Sequence, residues 1–455
     1  MMRPRKRAEY MKSKFKLVQG AIVAPKGFKA AGVFCDIKRL GTGKGSNKGN
    51  KRDLALIVSD TPATVAGMFT TNQICAAPVK VCVERVKRGT AQAVVINSGN
   101  ANACTGKQGL ADAREMVGFT ERALILPKGS ALVGSTGRIG VTMPMDQVRA
   151  GIIEAAVELG SSVEHAAQAA EAIMTSDTRP KQIAIEFKFG GKTVRIGGMC
   201  KGAGMIQPGM SATGKRPAAF PQGLHATMLC FITTDAAIEA KTLQAALREA
   251  TALSFNRITV DGDMSTNDTV LVLANGLAGN KNIEQRTSNA ELRIFTEALS
   301  HVCLELAKMI VRDGEGVHRI VTVRVNGAKT VAEADAAARA VANSSLVKTS
   351  WHGGDPNWGR IIDAIGYSPA TVVEEKIDIG YSASESKKIL WSLKRGQPTK
   401  ASFKQLCAAV APKEFDLHIN LNLGKAGAVI YAADLTEEYV DFNKGDVGDP
   451  SSLGG

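Results

Sequence analysis

The stretch that decides the fold is ATMLCFITTDA, residues 226 to 236, in which a small residue precedes a threonine and an apolar run. The run after Thr227 predicts a buried strand, because β-branched and aromatic residues suit a packed, pleated surface. The pair Ala226–Thr227 also suits self-cleavage. The Thr227 hydroxyl can attack the Ala226 carbonyl, the acyl group then moves from nitrogen to oxygen, and water splits the ester. The second chain would begin with a threonine whose own α-amine serves as the base for its hydroxyl.

The tripeptide alone does not decide between self-cleavage and ordinary strand propensity, since threonine is common at the start of strands. Seven further motifs surround it: NSGNANACTG (97–106), GSTGRIG (134–140), MTSDTRPK (174–181), CKGAGMIQPGM (200–210), NRITVDGDMSTNDTV (256–270), VRDGEG (311–316) and GGDPNWGRI (353–361). Together, and in this order, they resemble the ornithine acetyltransferase (glutamate N-acetyltransferase) family of arginine biosynthesis. The resemblance extends from about Gly20 to Asn443.

The resemblance implies an α/β fold of layered sheets and helices, similar to N-terminal-nucleophile enzymes. It implies cleavage between Ala226 and Thr227 into an α-chain half (17–226), which the basic tail (1–16) precedes, and a β-chain half (227–455). The implied reaction is ping-pong. N2-acetyl-L-ornithine acetylates Thr227, and L-glutamate then takes the acetyl group. Two α and two β chains would assemble as a heterotetramer.

The resemblance implies an oxyanion hole made by Thr136 and the backbone amide of Gly137, within GSTGRIG. The chemistry is reasonable, because a glycine-flanked turn lets a backbone N–H approach a reacting carbonyl and the hydroxyl adds a second donor. Losing one such donor typically costs about 3 kcal/mol of barrier. A simple tight turn explains the same four residues without any catalytic role.

By the same resemblance, Lys201 contacts the substrate near the nucleophile, where it would hold a carboxylate of ornithine or glutamate. The residue pattern alone favours a solvated loop lysine, since lysines are seldom buried. Thr175, which opens TSDT, matches a substrate-binding threonine of the family. Asp177 in the same motif would alternatively be a helix cap or turn residue.

Two further substrate contacts are implied near the end of the chain. Glu315 in VRDGEG matches a glutamate that faces the substrate amine, and a carboxylate is what an ammonium group requires. Asp313, two residues earlier, would then face solvent. Asn443 matches an asparagine that holds the substrate carboxylate.

The sequence departs from the family at the cleavage site and at the C-terminal end. Gly209 stands where the family has asparagine, and fifteen residues, Ser211 to His225, are inserted before the scissile bond. This insertion would slow self-cleavage, or it would become a loose end of the α-chain. Gly448 occupies a position where the family has serine or threonine, so one substrate hydrogen bond would be missing or supplied by Ser451 or Ser452.

Composition limits the other classes of function. The chain has 455 residues, a net charge of +14, 5% aromatic residues and 46 glycines. Much of the excess charge lies in residues 3–16, predicted to be disordered, and 38–52, of which the glycine-rich part 41–50 is predicted to be an insertion in a hairpin. No nucleic-acid-binding motif is present and few aromatics are available for base stacking, which argues against nucleic-acid binding. No apolar run is long enough to span a membrane.

The eight cysteines are scattered and form no CxxC pair, which predicts neither a zinc site nor a disulfide framework. We therefore expect a cytoplasmic enzyme that needs no metal or organic cofactor. Use of acetyl-CoA as a second acetyl donor stays open. The main alternative is an N-terminal-nucleophile amidase or peptidase that shares Thr227 but passes the acyl group to water.

Hydrophobic periodicity gives a coarse secondary structure. Strands are predicted at 54–60, 93–99 and 318–327, together with a hairpin over 184–198 that turns at two glycines. Helices are predicted at 107–125, 146–172, 238–253, 289–311 and 332–345. Strands mixed with helices favour a layered α/β architecture.

Overall fold

The computed structural model describes residues 14–38, 51–215, 228–284, 289–384 and 386–444. Two β-sheets and the helices that cover them make up this part of the chain. The strands are β1 Lys16–Leu17, β2 Phe28–Val33, β3 Leu54–Thr70, β4 Thr90–Asn100, β5 Ala131–Arg138, β6 Lys181–Phe189, β7 Lys192–Lys201, β8 Met210–Ser211, β9 Leu229–Thr234, β10 Ile258–Thr259, β11 Thr269–Ala274, β12 Ile320–Ala328, β13 Asp378–Ala383, β14 Leu390–Lys394, β15 Gln397–Pro398, β16 Glu414–Asn420 and β17 Ala426–Ala433.

The α-helices pack on both faces of the first sheet and around the second. They are α1 Ala77–Val86, α2 Gly106–Ala123, α3 Met145–Val157, α4 Val163–Ala172, α5 Ala240–Ala252, α6 Asn289–Arg312, α7 Val331–Asn343, α8 Ser345–His352, α9 Trp358–Gly366, α10 Phe403–Val410 and α11 Glu437–Asn443. The layered α/β fold predicted from the sequence is confirmed.

Within the described residues the first sheet has ten strands, in the order β1-β6-β7-β9-β11-β3-β4-β5, with β2 and β8 also paired to β3. Strand β9, the run that follows Thr227, is central and buried on both faces. Leu229 and Phe231 belong to one hydrophobic core, while Cys230 and Ile232 belong to the other. Burial on both faces explains why this strand is continuously apolar instead of alternating.

The first sheet bends back on itself through the long strand β3. The β3–β4 register shifts between Val58 and Ala63, which marks an irregularity that bends the strand. As a result β5, four strands away from β9 along the sheet, packs against it. Gly134 of β5 lies so close to Phe231 that a Cβ atom there would be 2.9 Å from the ring. This fold brings the end of β5 next to the start of β9.

The second sheet contains seven strands in the described residues, in the order β10-β17-β12-β16-β13-β14-β15, and encloses its own core. Trp351, Tyr381 and Phe415 are among its largest fully buried side chains. After β17 the chain enters helix α11, whose Asn443 contacts Glu315. Helix α11, which follows the second sheet in sequence, therefore lies beside the residues that come directly after α6.

Most predicted elements are present, and one helix needs correction. The hairpin is confirmed as β6 and β7, which turn at Gly190–Gly191. The single helix predicted over 146–172 is instead two helices, α3 and α4. They separate because Gly160 forms a bridge with Ala30 and Ser162 caps α4 by accepting the His165 N–H.

The disordered tail predicted for residues 1–16 extends too far. Phe15 is 4% exposed and packs edge-on against Phe187, and Lys14 forms an ion pair with Glu297 at 2.7 Å. Lys16 already belongs to β1. Residues 14–16 are therefore part of the fold, because Phe15 fills an apolar site beside β6. The basic stretch 39–50, Gly448 and residues 216–227 of the insertion and scissile bond lie outside the described residues.

In the part of the chain that the structure describes, none of the helices is long and apolar enough to cross a membrane.

Candidate active site

The end of strand β7 and the starts of β9 and β11 lie side by side. Lys201 pairs with Leu229, and Leu229 pairs with Thr269 on its other side. Met228 is fixed at both of its backbone groups. Its N–H donates to Asp268 Oδ1 at 2.6 Å, and its carbonyl accepts from the Thr269 N–H at 3.1 Å. Ala226 and Thr227 lie outside the described residues, but the residue that follows them is rigidly placed.

Lys201 is buried between two threonine hydroxyls. Its Nζ donates to Thr175 Oγ1 at 2.6 Å and to Thr136 Oγ1 at 3.2 Å, and the side chain is 3% exposed. The interpretation of Lys201 as a solvated loop residue is wrong, because it is the last residue of a central strand. Burial lowers the pKa of its ammonium group, although Asp177, 4.0 Å away, opposes that shift. Three predicted site residues from distant parts of the chain thus meet at one point.

Gly137, which follows Thr136, requires glycine. Its φ is 131°, a conformation that side chains with a Cβ rarely adopt. A Cβ atom there would also lie 2.3 Å from the carbonyl carbon of Gly99. Glycine is therefore required at this position because the Gly137 backbone packs directly against the β4 backbone at Gly99. The role of Thr136 and Gly137 toward substrate stays a prediction.

Buried side-chain amides hold that turn in place. Asn267 Nδ2 donates to the carbonyls of Ala101 (2.6 Å) and Ser135 (2.8 Å). The Ser135 hydroxyl in turn donates to Asn97 Oδ1 at 2.6 Å. In these contacts each buried polar group has a hydrogen-bond partner. We therefore interpret NSGNANACTG (97–106) and STND (265–268) as motifs that hold the turn at Gly137 in place. Sequence reasoning missed Asn267, although it lies in a quoted motif.

A buried ion network lies directly behind Lys201. Lys181 Nζ, 1% exposed, is 2.5 Å from Asp177 Oδ1 and also contacts Asp313 Oδ2. Asp177 additionally accepts the N–H groups of Gly202 (2.7 Å) and Thr175 (3.0 Å). The expectation that Asp313 faces solvent is wrong, because its carboxylate is buried in an ion pair with Lys181. Sequence reasoning also missed Lys181, which looked like an ordinary charged residue at the end of MTSDTRPK.

The network has clear electrostatic consequences. Burial alone would raise the pKa of Asp177, but the ammonium groups of Lys201 and Lys181 lower it to about 2. Burial alone would lower the pKa of Lys181, but the two carboxylates beside it raise it. The network therefore stays ionised at neutral pH, and it links the loops that carry Thr175, Lys201 and Glu315.

The depressed pKa of Asp177 predicts acid sensitivity. The unfolded chain holds this proton more tightly than the folded chain, so stability is full above the unfolded value near 3.8 and is lost as the pH falls toward 2. We expect Asp177 to contribute about 2 kcal/mol to this loss. Urea unfolding between pH 6 and 2 measures it. An Asp177→Asn variant with the same pH slope as the parent would contradict the prediction.

Glu315 and Asn443 form a second pair of predicted site residues. Asn443 Nδ2 donates to Glu315 Oε2 at 3.0 Å, and the Glu315 N–H donates to the Ala203 carbonyl at 3.0 Å. A Cβ atom on Gly204 would lie 2.2 Å from the same carboxylate oxygen, so a larger residue here would displace the Glu315 carboxylate. The Glu315 carboxylate also acts electrostatically on Lys201. Glu315 is half-buried and therefore remains accessible to a ligand.

A cavity of about 400 Å³ opens beside Thr175. Its lining includes Lys38, Arg52, Glu171 and Met174. Burial lowers the pKa of Lys38 to about 8. The cavity is large enough for an amino-acid derivative and offers groups of both charges.

Comparison with known proteins finds relatives that match nearly the whole chain. The ArgJ family model matches residues 29–445. The arginine biosynthesis bifunctional protein ArgJ of Symbiobacterium thermophilum is 47% identical over 424 residues, covering 93% of this chain and 98% of the relative. The glutamate N-acetyltransferase of Methanocaldococcus jannaschii is 42% identical over 435 residues, covering 94% and 98%.

Solved structures give shorter matches. The ornithine acetyltransferase of Mycobacterium tuberculosis, complexed with ornithine, is 36% identical with a TM-score of 0.39, covering 43% of this chain and all of the solved chain. The ArgJ protein of Bacillus halodurans is 37% identical with a TM-score of 0.40, covering 43% and 99%. The near-complete sequence matches, together with the family model, decide the assignment: the chain belongs to the ArgJ family of acyltransferases.

Proposed function

We propose that this protein transfers the acetyl group of N2-acetyl-L-ornithine to L-glutamate through an acetyl ester on Thr227, after cleavage between Ala226 and Thr227. The observation that carries the proposal is the position of Lys201. Its ammonium group lies between the hydroxyls of Thr136 and Thr175, on the strand that pairs directly with Leu229. The name of one relative, glutamate N-acetyltransferase, supports glutamate as the acetyl acceptor, and the family resemblance of the motifs supplies acetylornithine as the donor.

The first half-reaction follows from these groups. The α-amine of Thr227 takes the hydroxyl proton as the oxygen attacks the acetyl carbonyl carbon. The Thr136 hydroxyl and the Gly137 N–H stabilise the oxyanion of the tetrahedral intermediate. Collapse breaks the amide bond, and the proton held by the α-amine passes to the departing ornithine nitrogen. The product is an acetyl ester on Thr227.

The second half-reaction repeats these steps with glutamate. Its α-amine attacks the ester carbonyl, the oxyanion forms again in the same place, and the Thr227 oxygen leaves with a proton. Free N-acetylglutamate and the original threonine result. No step requires a metal or an organic cofactor.

Charge complementarity supports the choice of substrate. A Glu315 carboxylate, oriented by Asn443, suits the side-chain ammonium of ornithine. The buried Lys201 ammonium suits a carboxylate or a developing negative charge near the nucleophile.

We further propose that two α and two β chains assemble as a heterotetramer, and that acetyl-CoA is an alternative acetyl donor. The latter rests on the word bifunctional in the names of relatives.

The insertion before the scissile bond is compatible with this proposal. Met210 and Ser211 pair with Thr70 and Phe69 of β3, and Phe69 also pairs with Thr269 of β11. Ser211, before the undescribed residues, and Leu229, after them, therefore lie at the same level of the first sheet with β3 and β11 between them.

Product analysis tests the function against its main alternative. Purified protein is incubated with N2-acetylornithine, with and without glutamate, and the products are identified by mass spectrometry. We expect N-acetylglutamate and ornithine only when glutamate is present. Release of acetate at the same rate without glutamate would instead identify an amidase. A parallel reaction with acetyl-CoA and glutamate tests the second donor.

Intact mass tests the self-cleavage. We expect two chains that meet between Ala226 and Thr227. A single chain of 47.9 kDa would contradict the proposed maturation.

Glu315→Gln is expected to raise the KM for acetylornithine by about tenfold or more, because a charge-assisted hydrogen bond to the ammonium is lost. The glutamine keeps an acceptor for Asn443, so the unfolding free energy should change little. The KM for glutamate is the internal control, since its side chain carries no ammonium. Equal changes in both KM values would remove Glu315 from the ornithine side-chain site.

A further inference from the structure

The loop that follows Lys201 has an unusual backbone conformation beside the Glu315 carboxylate. Met205 has a φ of 57°, in the left-handed region that residues with a Cβ atom rarely adopt. Gly204, the residue before it, lies against the Glu315 carboxylate, and the Ala203 carbonyl accepts the Glu315 N–H at 3.0 Å. The position of that carboxylate therefore depends on whatever keeps this loop in its left-handed conformation.

The side chain of Asp261 holds the loop in that conformation. Its Oδ2 accepts the Met205 N–H at 2.6 Å, and its Oδ1 accepts the Ile206 N–H at 2.7 Å. These two N–H groups belong to the peptide planes on either side of Met205, so one carboxylate fixes both planes. Oδ1 also accepts the N–H of Asp263 at 3.2 Å, which ties the carboxyl to its own loop.

The same carboxyl group also contacts helix α11, the second segment that holds Glu315. The Tyr439 hydroxyl forms a hydrogen bond with Asp261. Asn443 Nδ2 donates to the Tyr439 carbonyl at 2.9 Å and to Glu315 Oε2 at 3.0 Å. A Cβ atom on Gly316 would lie 2.4 Å from the Tyr439 nitrogen, so the helix packs directly on the backbone next to Glu315.

The charges around Asp261 are compatible with an anion that accepts these hydrogen bonds. Burial and the Asp263 carboxylate raise the pKa of Asp261 to about 6, so it is ionised above that pH. A buried cation, the Lys348 ammonium of α8, is also under the influence of this carboxylate. Burial and the neighbouring carboxylates raise the pKa of Tyr439, so its hydroxyl keeps the proton that it donates.

We propose that Asp261 is a positioning residue for recognition of the donor side chain, because it holds both segments that contact Glu315, the loop of Met205 and helix α11. This inference rests on the proposed role of Glu315 as the partner of the ornithine ammonium. The reaction steps described above make no use of Asp261. Glutamate has no side-chain ammonium, so its use as acceptor should not depend on this residue.

Asp261→Asn tests the proposal against a matched control. Asp235 also accepts two backbone N–H groups, from Lys26 (3.1 Å) and Arg195 (2.8 Å), but at the end of β9 far from Lys201. Asp235→Asn, Glu315→Gln and the double variant Asp261→Asn/Glu315→Gln are measured alongside. The ratio kcat/KM is determined for acetylornithine and for glutamate, because in a ping-pong reaction each ratio reports its own half-reaction.

For Asp261→Asn we expect kcat/KM for acetylornithine to fall by about tenfold or more, because an amide nitrogen cannot accept a loop N–H. The ratio for glutamate should change by less than about threefold. Asp235→Asn should resemble the parent in both ratios. In the Glu315→Gln background, Asp261→Asn should cause less than about a twofold further loss, because the residue through which it acts is already changed.

Tyr439→Phe is a milder variant that serves if Asp261→Asn does not fold. It removes one hydroxyl and leaves the bonds from Asp261 to the loop intact. We expect kcat/KM for acetylornithine to fall by about threefold, with the ratio for glutamate unchanged. Equal losses in both ratios would contradict the proposal.

The proposal is overturned if Asp261→Asn lowers both ratios equally, or if it matches Asp235→Asn. It is also overturned if the loss that it causes is the same in the parent and in the Glu315→Gln background. The Glu315→Gln variant separates the two levels of inference. If that variant shows its expected loss while Asp261→Asn behaves like its control, only the role of Asp261 fails. If Glu315→Gln leaves the acetylornithine ratio unchanged, the proposed role of Glu315 fails too.

Discussion

Thr227→Ala is expected to yield one uncut chain of 47.9 kDa with at least a 10³-fold loss of acetyl transfer. Without the hydroxyl, no oxygen is available to accept the acyl group of Ala226, so the ester that precedes cleavage cannot form. The same atom is the acetyl acceptor in the proposed reaction. One substitution should therefore remove both maturation and turnover. Intact mass and product analysis measure the two losses on the same sample.

Two companion variants make the result specific. Thr227→Ser keeps a hydroxyl and should remain cut and active at a reduced rate. Thr233→Ala removes another buried hydroxyl of β9, one that donates to the Ile22 carbonyl at 2.6 Å far from the site. It should be cut and active, although somewhat less stable. A Thr227→Ala protein that is cut and transfers acetyl groups would refute the nucleophile assignment.

Strands mixed with helices predicted the layered α/β fold class from the sequence itself. The site residues were predicted from the resemblance of separate motifs to a known family, not from hydrophobic periodicity. Lys201, Thr136 and Thr175 were each named from separate motifs. The structure brings both threonine hydroxyls within hydrogen-bond distance of the Lys201 ammonium group.

The environment of these residues could not be read from the sequence. Lys201 looked solvated and Asp313 looked exposed, because charged residues next to glycines usually are. Both are buried, because Lys181 and Asp177 lie between them in the folded structure. Asp313 is far from the other three residues in the sequence. This ion pairing depends on the positions of β6 and β7 relative to the end of α6. The spacing of apolar residues along the sequence does not predict those positions.

Asp268 and Asn267 escaped notice for a related reason. Both lie in a polar run before an apolar strand, which is also the composition of an ordinary turn. Their importance follows from partners far away in sequence: Met228 for Asp268, and the Ala101 and Ser135 carbonyls for Asn267. The pairing of β9 with β11 places Met228 beside Asp268, and the approach of β5 to β9 places the Ser135 carbonyl beside Asn267.

Lys181→Met is expected to lower the free energy of unfolding by about 3–5 kcal/mol, the usual cost of leaving buried carboxylates without their partner. Asp177 and Asp313 would then face each other across an apolar side chain. Because Asp177 also holds the Thr175 and Gly202 N–H groups, its displacement should misplace Thr175 and Lys201. We therefore expect activity to fall even in the fraction that remains folded.

Lys188→Met is the matched control, because Lys188 is an exposed residue of the same strand whose ammonium donates to Thr193 at 2.7 Å. Its removal should change stability by less than about 0.5 kcal/mol. Adding Asp313→Asn to Lys181→Met should recover part of the lost stability, because one of the two uncompensated charges disappears. Urea unfolding of the four proteins at pH 7 measures these differences. If Lys181→Met were as stable as Lys188→Met, the ion network would not be what holds the loops of Thr175, Lys201 and Glu315 together.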